Sequence, residues 1–133
     1  LGIDCVKSVI ENNIKNYENQ NIRFIHKIVN DDYIPKGYDL IIIKDVIQHW
    51  TDEDILNYLN QILINNKFVF STNGYKFIRD KKKNDLKNRD INNKYRYHPV
   101  DVNKYPLSEF KEYVLTENKH RAKQMILFTK YFT

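Results

Sequence analysis

The sequence predicts an α/β fold, a mainly parallel open sheet flanked by helices, and three observations predict it. The unbroken apolar run Leu40 to Ile43 reads as a buried central strand, and it ends in the charged pair Lys44-Asp45. Thr51-Asp-Glu-Asp54 then has capping-box spacing just ahead of the periodic Ile55, Leu59 and Ile62, so a helix begins with Thr51 as its N-cap. A second short strand follows at Lys67-Phe-Val-Phe-Ser-Thr72. In sheets of this kind ligands collect outside the carboxyl ends of the strands, which places Lys44 through His49 at the functional edge.

The other elements follow in chain order. Leu1 to Asp4 reads as the end of a strand, and Val6, Ile10, Ile14 and Tyr17 share one helical face, predicting a helix from Val6 to Glu18. Asn19-Gln-Asn21 is a polar turn, and Ile22 through Val29 reads as the next strand, stopped by Asn30-Asp31-Asp32. Pro35-Lys-Gly37 punctuates the loop into Leu40, and Asn65-Asn66 stops the capped helix. From Asn73 to Asn93 the chain turns basic, with Arg79, three consecutive lysines at 81–83, Lys87 and Arg89, and reads as a long loop. Phe110 to Thr116 and Gln124 to Tyr131, joined by the polar Glu117 to His120, predict a C-terminal antiparallel hairpin spanning 110–131.

The totals set bounds. At 133 residues the chain is one domain or part of one. One cysteine, Cys5, excludes an internal disulfide and a cysteine-based metal cluster and points to a reducing, cytoplasmic setting. The histidines at 26, 49, 98 and 120 lack ligand spacing, so no metal is expected. No apolar run approaches the ~20 residues that span a bilayer, so no membrane partner is expected. The net charge of +5 raises the question of an acidic partner, yet lysine, isoleucine, asparagine and tyrosine are abundant together, as codon bias in an AT-rich genome produces. Nucleic acid is therefore a less favoured partner than a small molecule.

Taken together, Tyr38-Asp-Leu-Ile-Ile-Ile-Lys-Asp-Val-Ile-Gln-His-Trp50, its acidic helix and the Phe68-Val-Phe70 strand resemble the fourth motif of class I S-adenosylmethionine-dependent methyltransferases. Gly2-Ile-Asp4 resembles the end of that family's second strand and Asn21-Ile-Arg-Phe24 its third. Tyr97-His-Pro-Val-Asp101 followed by Pro106-Leu107 resembles a segment of one small-molecule branch. The resemblance covers nearly the whole chain, and the order of the motifs carries it. It implies a Rossmann-like fold, S-adenosylmethionine as cofactor, and methyl transfer to an oxygen or nitrogen of a small-molecule or sugar-like acceptor.

It also implies roles. Asp4 matches the carboxylate that accepts hydrogen bonds from the cofactor's ribose, the bland alternative being a helix N-terminal acid. Ile28 stands where many members carry an acid for the adenine amino group, leaving Val29 packing, with Asn30, Asp31 or Asp32 as substitutes. Lys44 and Asp45 match residues near the methionine end and the acceptor. Asp45 orients the acceptor; its alternative is a surface pair with Lys44 worth under ~1 kcal/mol. His49, four residues on, shares a face with Asp45 if the turn is helical, and histidine's ordinary pKa of ~6.5 suits a general base. Gln48, Asn73, Arg79 and Tyr97 complete the expected acceptor site. The aromatic residues interleaved with cations between Tyr75 and Tyr97 would equally suit an RNA methyltransferase or a solvated insertion. A methyltransferase-like binding module without catalysis is the remaining alternative.

The family's glycine-rich first motif has no counterpart, since Gly2, Gly37 and Gly74 form no Gly-x-Gly. In the family the first strand lies between the second and fourth. The chain is therefore expected to be an N-terminally truncated piece lacking that strand and its helix, inactive and unstable alone, with Leu1–Asp4 and Leu40–Ile43 flanking a gap or forced together. In the parent, Asp4 and the crest after Ile43 are expected to line one crevice.

Overall fold

A computed structural model of the chain describes residues 1–29, 33–76 and 99–130. They form a mixed α/β structure in two compact units, Leu1–Ile34 and Pro35–Thr133. Each contains a strand, a helix and a second strand parallel to the first.

In the first unit β1 (Gly2–Asp4) leads into helix α1 (Lys7–Tyr17), and β2 (Phe24–His26) pairs parallel to β1 with Asp4 opposite His26. The predicted strand through Val29 is shorter, ending at His26. A Cβ at Gly2 would meet the Phe24 ring at 2.5 Å, so any other residue there would force that ring to move. Of the apolar stripe on α1 only Ile10 is buried, with Ile14 and Tyr17 exposed.

In the second unit β3 (Leu40–Lys44), helix α2 (Asp52–Asn65) and β4 (Phe68–Gly74) repeat the pattern, with Leu40 opposite Phe68 and Lys44 opposite Thr72. The expected capping box is present: Thr51 Oγ1 accepts the Asp54 N–H at 3.1 Å, and Asp54 Oδ2 accepts the Thr51 N–H at 3.4 Å. Four aliphatic side chains of α2, Ile55, Leu59, Ile62 and Leu63, are buried, each contributing about 1.5–3 kcal/mol. The helix stops at Asn66, whose amide donates to the Ile62 and Pro35 carbonyls at 2.9 and 2.8 Å while its oxygen accepts the Tyr38 N–H at 3.0 Å. Gly37, at φ +77°, closes that loop by donating to Asn65 O.

The hairpin β5 (Val114–His120) and β6 (Lys123–Phe128) completes a four-stranded sheet in the order β3-β4-β6-β5, with β6 antiparallel to β4. Its turn is Arg121-Ala122, with the polar Glu117–His120 inside β5, whereas the sequence places the turn at those polar residues. Residues 110–113, expected in the strand, belong to a 3-10 helix, Leu107–Tyr113, that buries Leu107 and Phe110. Likewise Asn73 and Gly74 end β4 and do not begin a loop. Residues 77–93 of the expected basic loop lie outside the described residues.

The register sorts the sheet into two faces. Ile43, Val69, Ser71, Ile126 and Phe128 line one, all buried on the side of α2. Leu40 and Ile42 line the other, 48% and 64% exposed. The expectation of a buried central strand is thus corrected: β3 is the last strand of its sheet, because β4 is its one partner among the described residues. Nor are Leu1–Asp4 and Leu40–Ile43 forced into one ladder, since β1 and β3 belong to separate sheets.

Candidate functional site

At the carboxyl end of β1, Asp4 turns the chain into α1. Its Oδ1 accepts the Val6 N–H at 2.8 Å, which fixes the carboxylate at the strand end. Asp4 stands ahead of the N-cap Val6 and outside the first turn of α1; a carboxylate has about four acceptor positions, so one local bond does not exhaust it. Beside it β2 ends, with Asp4 O accepting the Lys27 N–H at 3.1 Å and His26 Nε2 lying 3.0 Å from Cys5 O. Val29, three residues past the end of β2, is half-buried, and Ile28 is 59% exposed. Asn30 lies outside the described residues, as do Arg79 and Tyr97.

The second unit gathers more of the expected residues at one place, the carboxyl ends of β3 and β4. Lys44 ends β3 and is exposed. Asp45 follows with φ 57°, its N–H donating to Thr72 O at 2.8 Å. A left-handed backbone at a non-glycine residue costs of order 1–3 kcal/mol and persists where the surroundings over-determine it. Here the Asp45 carboxylate is tied by an ion pair to Lys123, at the start of β6. The partner expected from the sequence was the adjacent Lys44. Lys123, 78 residues away, becomes a neighbour only because β6 inserts next to β4.

The left-handed turn at Asp45 also breaks the helical continuity that would have placed Asp45 and His49 on one face. A separate 3-10 turn, Ile47–His49, begins two residues later, so the four-residue spacing does not define a catalytic pair. His49 is exposed at the end of that turn, and Gln48 is buried. Gln48 Oε1 accepts the Gly74 N–H at 2.7 Å, bolting the turn to the end of β4, and its Nε2 lies 3.5 Å from His49 Nε2. Gln48 thereby positions the turn that carries His49. Asn73 is buried on the same strand; its amide donates to Ser71 Oγ while its Oδ1 has no hydrogen-bond partner among the described residues.

Sequence reasoning missed the polar cluster beside these residues. Asp101 accepts from the Asn103 N–H at 3.0 Å, from Lys119 Nζ at 3.2 Å and from Gln124 Nε2 at 3.3 Å, while Gln124 Oε1 accepts the Val102 N–H at 3.0 Å. Glu117 adds a second acid to Lys119 at 3.3 Å. These bonds fasten the segment beginning at 99 to the hairpin. Burial pushes the Asp101 carboxyl up, but the Asn103 N–H, the Lys119 ammonium and the Gln124 amide outweigh it and hold the group below 3.8. Burial likewise pulls Lys119 down, and its bonds and charge pairing with Asp101 and Glu117 outweigh that and raise it. A carboxyl depressed in the folded state contributes stability above its unfolded pKa and loses it as pH falls through the folded value. Asp101→Asn is expected to remove that part of the acid destabilisation below pH 3.8, read as a flatter urea midpoint against pH than the wild type.

Among the described residues no three His, Cys, Asp or Glu side chains stand together as a metal site, and no helix is long and apolar enough to cross a membrane. Searches against protein-family models and the curated proteins match this chain to none of them.

Proposed function

We propose that the chain serves S-adenosylmethionine-dependent methyl transfer to an oxygen or nitrogen of a small-molecule or sugar-like acceptor. One observation carries the reading: both units are a parallel strand-helix-strand, and in both an acid comes at the carboxyl end of the first strand, Asp4 ending β1 and Asp45 following β3. Carboxylates at strand ends fix the sugar in nucleotide sites of α/β sheets. The antiparallel hairpin on the far side of β4 agrees with the same resemblance.

In this reading Asp4 accepts the ribose hydroxyls with the oxygen positions that Val6 does not use. The resemblance assigns Lys44 and Asp45 to the methionine end and the acceptor, and Lys123 holds the Asp45 carboxylate. Bound S-adenosylmethionine supplies a methyl group already activated on a sulfonium. The protein's task is then alignment and exclusion of water, which together can supply much of the barrier reduction. His49, on its Gln48-anchored turn, is the residue to take the proton an acceptor hydroxyl or amine releases.

Ile28 favours a second reading. An exposed aliphatic residue at the place of an adenine-binding acid suits a methyltransferase-like binding module without catalysis.

Calorimetric titration of the protein with S-adenosylmethionine tests the proposal. Saturable binding that Asp4→Ala weakens by tenfold or more is expected, and no heat of binding would refute the first reading. Binding without any methyl transfer across a panel of small hydroxyl and amine acceptors favours the second.

A further inference from the structure

We propose that Asn73–Gly74 is a deamidation site that the fold holds latent, with the Gln48 side chain as its latch, and that conversion of Asn73 to aspartate or isoaspartate unfastens the turn carrying His49. Neither half rests on the methyltransferase reading. The pair is the single Asn-Gly of the sequence and closes β4, with Asn73 opposite Gln124 and Gly74 opposite Lys123 of β6. The chemistry needs no outside reagent but water. The Gly74 backbone nitrogen gives up its proton and bonds to Asn73 Cγ, the Cγ–Nδ2 bond breaks, and Nδ2 leaves as ammonia. Water then opens the five-membered imide at either carbonyl, leaving aspartate, or isoaspartate with the chain running through Cγ. Glycine makes the pair reactive because no Cβ crowds the attacking nitrogen.

Three features of the fold hold the reaction off. Closing the ring requires the Gly74 nitrogen to eclipse Asn73 Cβ, which takes a negative ψ, whereas antiparallel strands keep ψ near about +135°. The backbone past Asn73 is held by Gly74 O, which accepts the Val100 N–H at 2.8 Å, and by the Tyr75 N–H, which donates to Ala122 O at 3.0 Å. The attacking nitrogen itself is occupied, since the Gly74 N–H donates to Gln48 Oε1 at 2.7 Å. Gln48 is 4% exposed and Asn73 2%, so solvent base does not reach that proton while the strand end is closed. The reaction therefore runs only from a local opening.

A separate observation lowers the cost of that opening. Asn73 Oδ1 is buried with no hydrogen-bond partner among the described residues. A buried carbonyl oxygen without a donor is costly, and opening the end of β4 returns it to water. The product cannot close again in the same way. Aspartate at this position has no N–H for Ser71 Oγ and buries a charge where the amide was neutral. Isoaspartate adds a methylene to the backbone, so Gly74 no longer meets both Lys123 and Gln48. The turn Ile47–His49 then loses the Gln48 bond that fastens it to β4.

The test is incubation of the protein in mildly alkaline buffer, folded and in denaturing urea, with deamidation followed by peptide mass spectrometry and isoaspartate identified by electron-transfer fragmentation. In the unfolded chain Asn73 should react before any other asparagine, and folding should slow it roughly a hundredfold or more. Gln48→Ala should react roughly tenfold faster than folded wild type, or about 1.4 kcal/mol less opening free energy. Asn66→Ala, which loosens the chain before β4 and leaves Gln48 in place, should react more slowly than Gln48→Ala. Another asparagine reacting first in urea, no protection on folding, or Gln48→Ala no faster than wild type or than Asn66→Ala overturns the latch. Wild type alone gives a second reading. In sub-denaturing urea its deamidation should rise in step with hydrogen exchange at the Gly74 amide, and deamidation that follows global unfolding instead overturns the local opening. Asn73→Asp should speed hydrogen exchange at the His49 and Trp50 amides, which donate within the turn, and unchanged exchange there overturns its unfastening.

Discussion

Phe128→Ala is expected to destabilise the protein by about 3–5 kcal/mol, a large share of the 5–15 kcal/mol that holds a typical domain folded. Phe128 is completely buried at the end of β6, where it stands opposite Val69 of β4 and Val114 of β5. Its ring is therefore the point at which the parallel and antiparallel halves of the sheet share one core. Truncation removes the transfer free energy of the ring and leaves a cavity that two strands fixed by ladder hydrogen bonds cannot close. Urea denaturation followed by far-UV circular dichroism would read the loss as a lower midpoint at unchanged slope. A shift under 1 kcal/mol (order of magnitude) would mean that the hairpin does not pack as described.

Asn66→Ala is expected to cost about 3 kcal/mol, although it removes no charge and little apolar area. Its amide satisfies the carbonyls of Ile62 and Pro35, and its oxygen satisfies the Tyr38 N–H. Alanine leaves these three backbone groups without their partner at a buried position, and unmet buried groups cost more than a hydrogen bond contributes on balance. Asn66→Asp keeps the acceptor for Tyr38 and loses both donations, so its stability should fall in the same direction. Because the residue joins the end of α2 to the loop before β3, hydrogen exchange should accelerate at the amides of Gly37 and Tyr38 in either variant. Unchanged exchange there would contradict the bridging role.

What the sequence reveals about this fold is what is decided locally. The Thr51–Asp54 box lies within one turn, and the helix it opens begins and ends where its residues say. The apolar runs of β3 and β4 are legible for the same reason, as is the helical period of α1. The errors arise where tertiary context overrides pattern. Glu117–His120 reads as a turn because it is polar, yet among the described residues β5 is the last strand of its sheet, where polar residues face water and discourage further pairing. Leu40–Ile43 reads as central because it is continuously apolar, while the register leaves Leu40 and Ile42 exposed on one face.

The site divides along the same line. That Lys44 and Asp45 end a strand is visible from the chain. That Asp45 adopts a left-handed backbone, and so separates itself from His49, is not, since aspartate is merely tolerant of that region. The links from Asp45 to Lys123, from Gln48 to Gly74 and from Asp101 to Lys119 join residues distant in sequence. They follow from the tertiary fold, and only the short-range hint of Tyr97-His-Pro-Val-Asp101 pointed near any of them.

The central claim, that the carboxylate ending β1 holds a nucleoside cofactor, is tested most directly by nitrogen-15 amide spectra of the protein titrated with S-adenosylhomocysteine. The account predicts saturable shifts at Asp4, Cys5 and Val6, while the buried end of α2 around Ile62 stays still. Spectra that do not change, or changes confined to residues away from the end of β1, would contradict it.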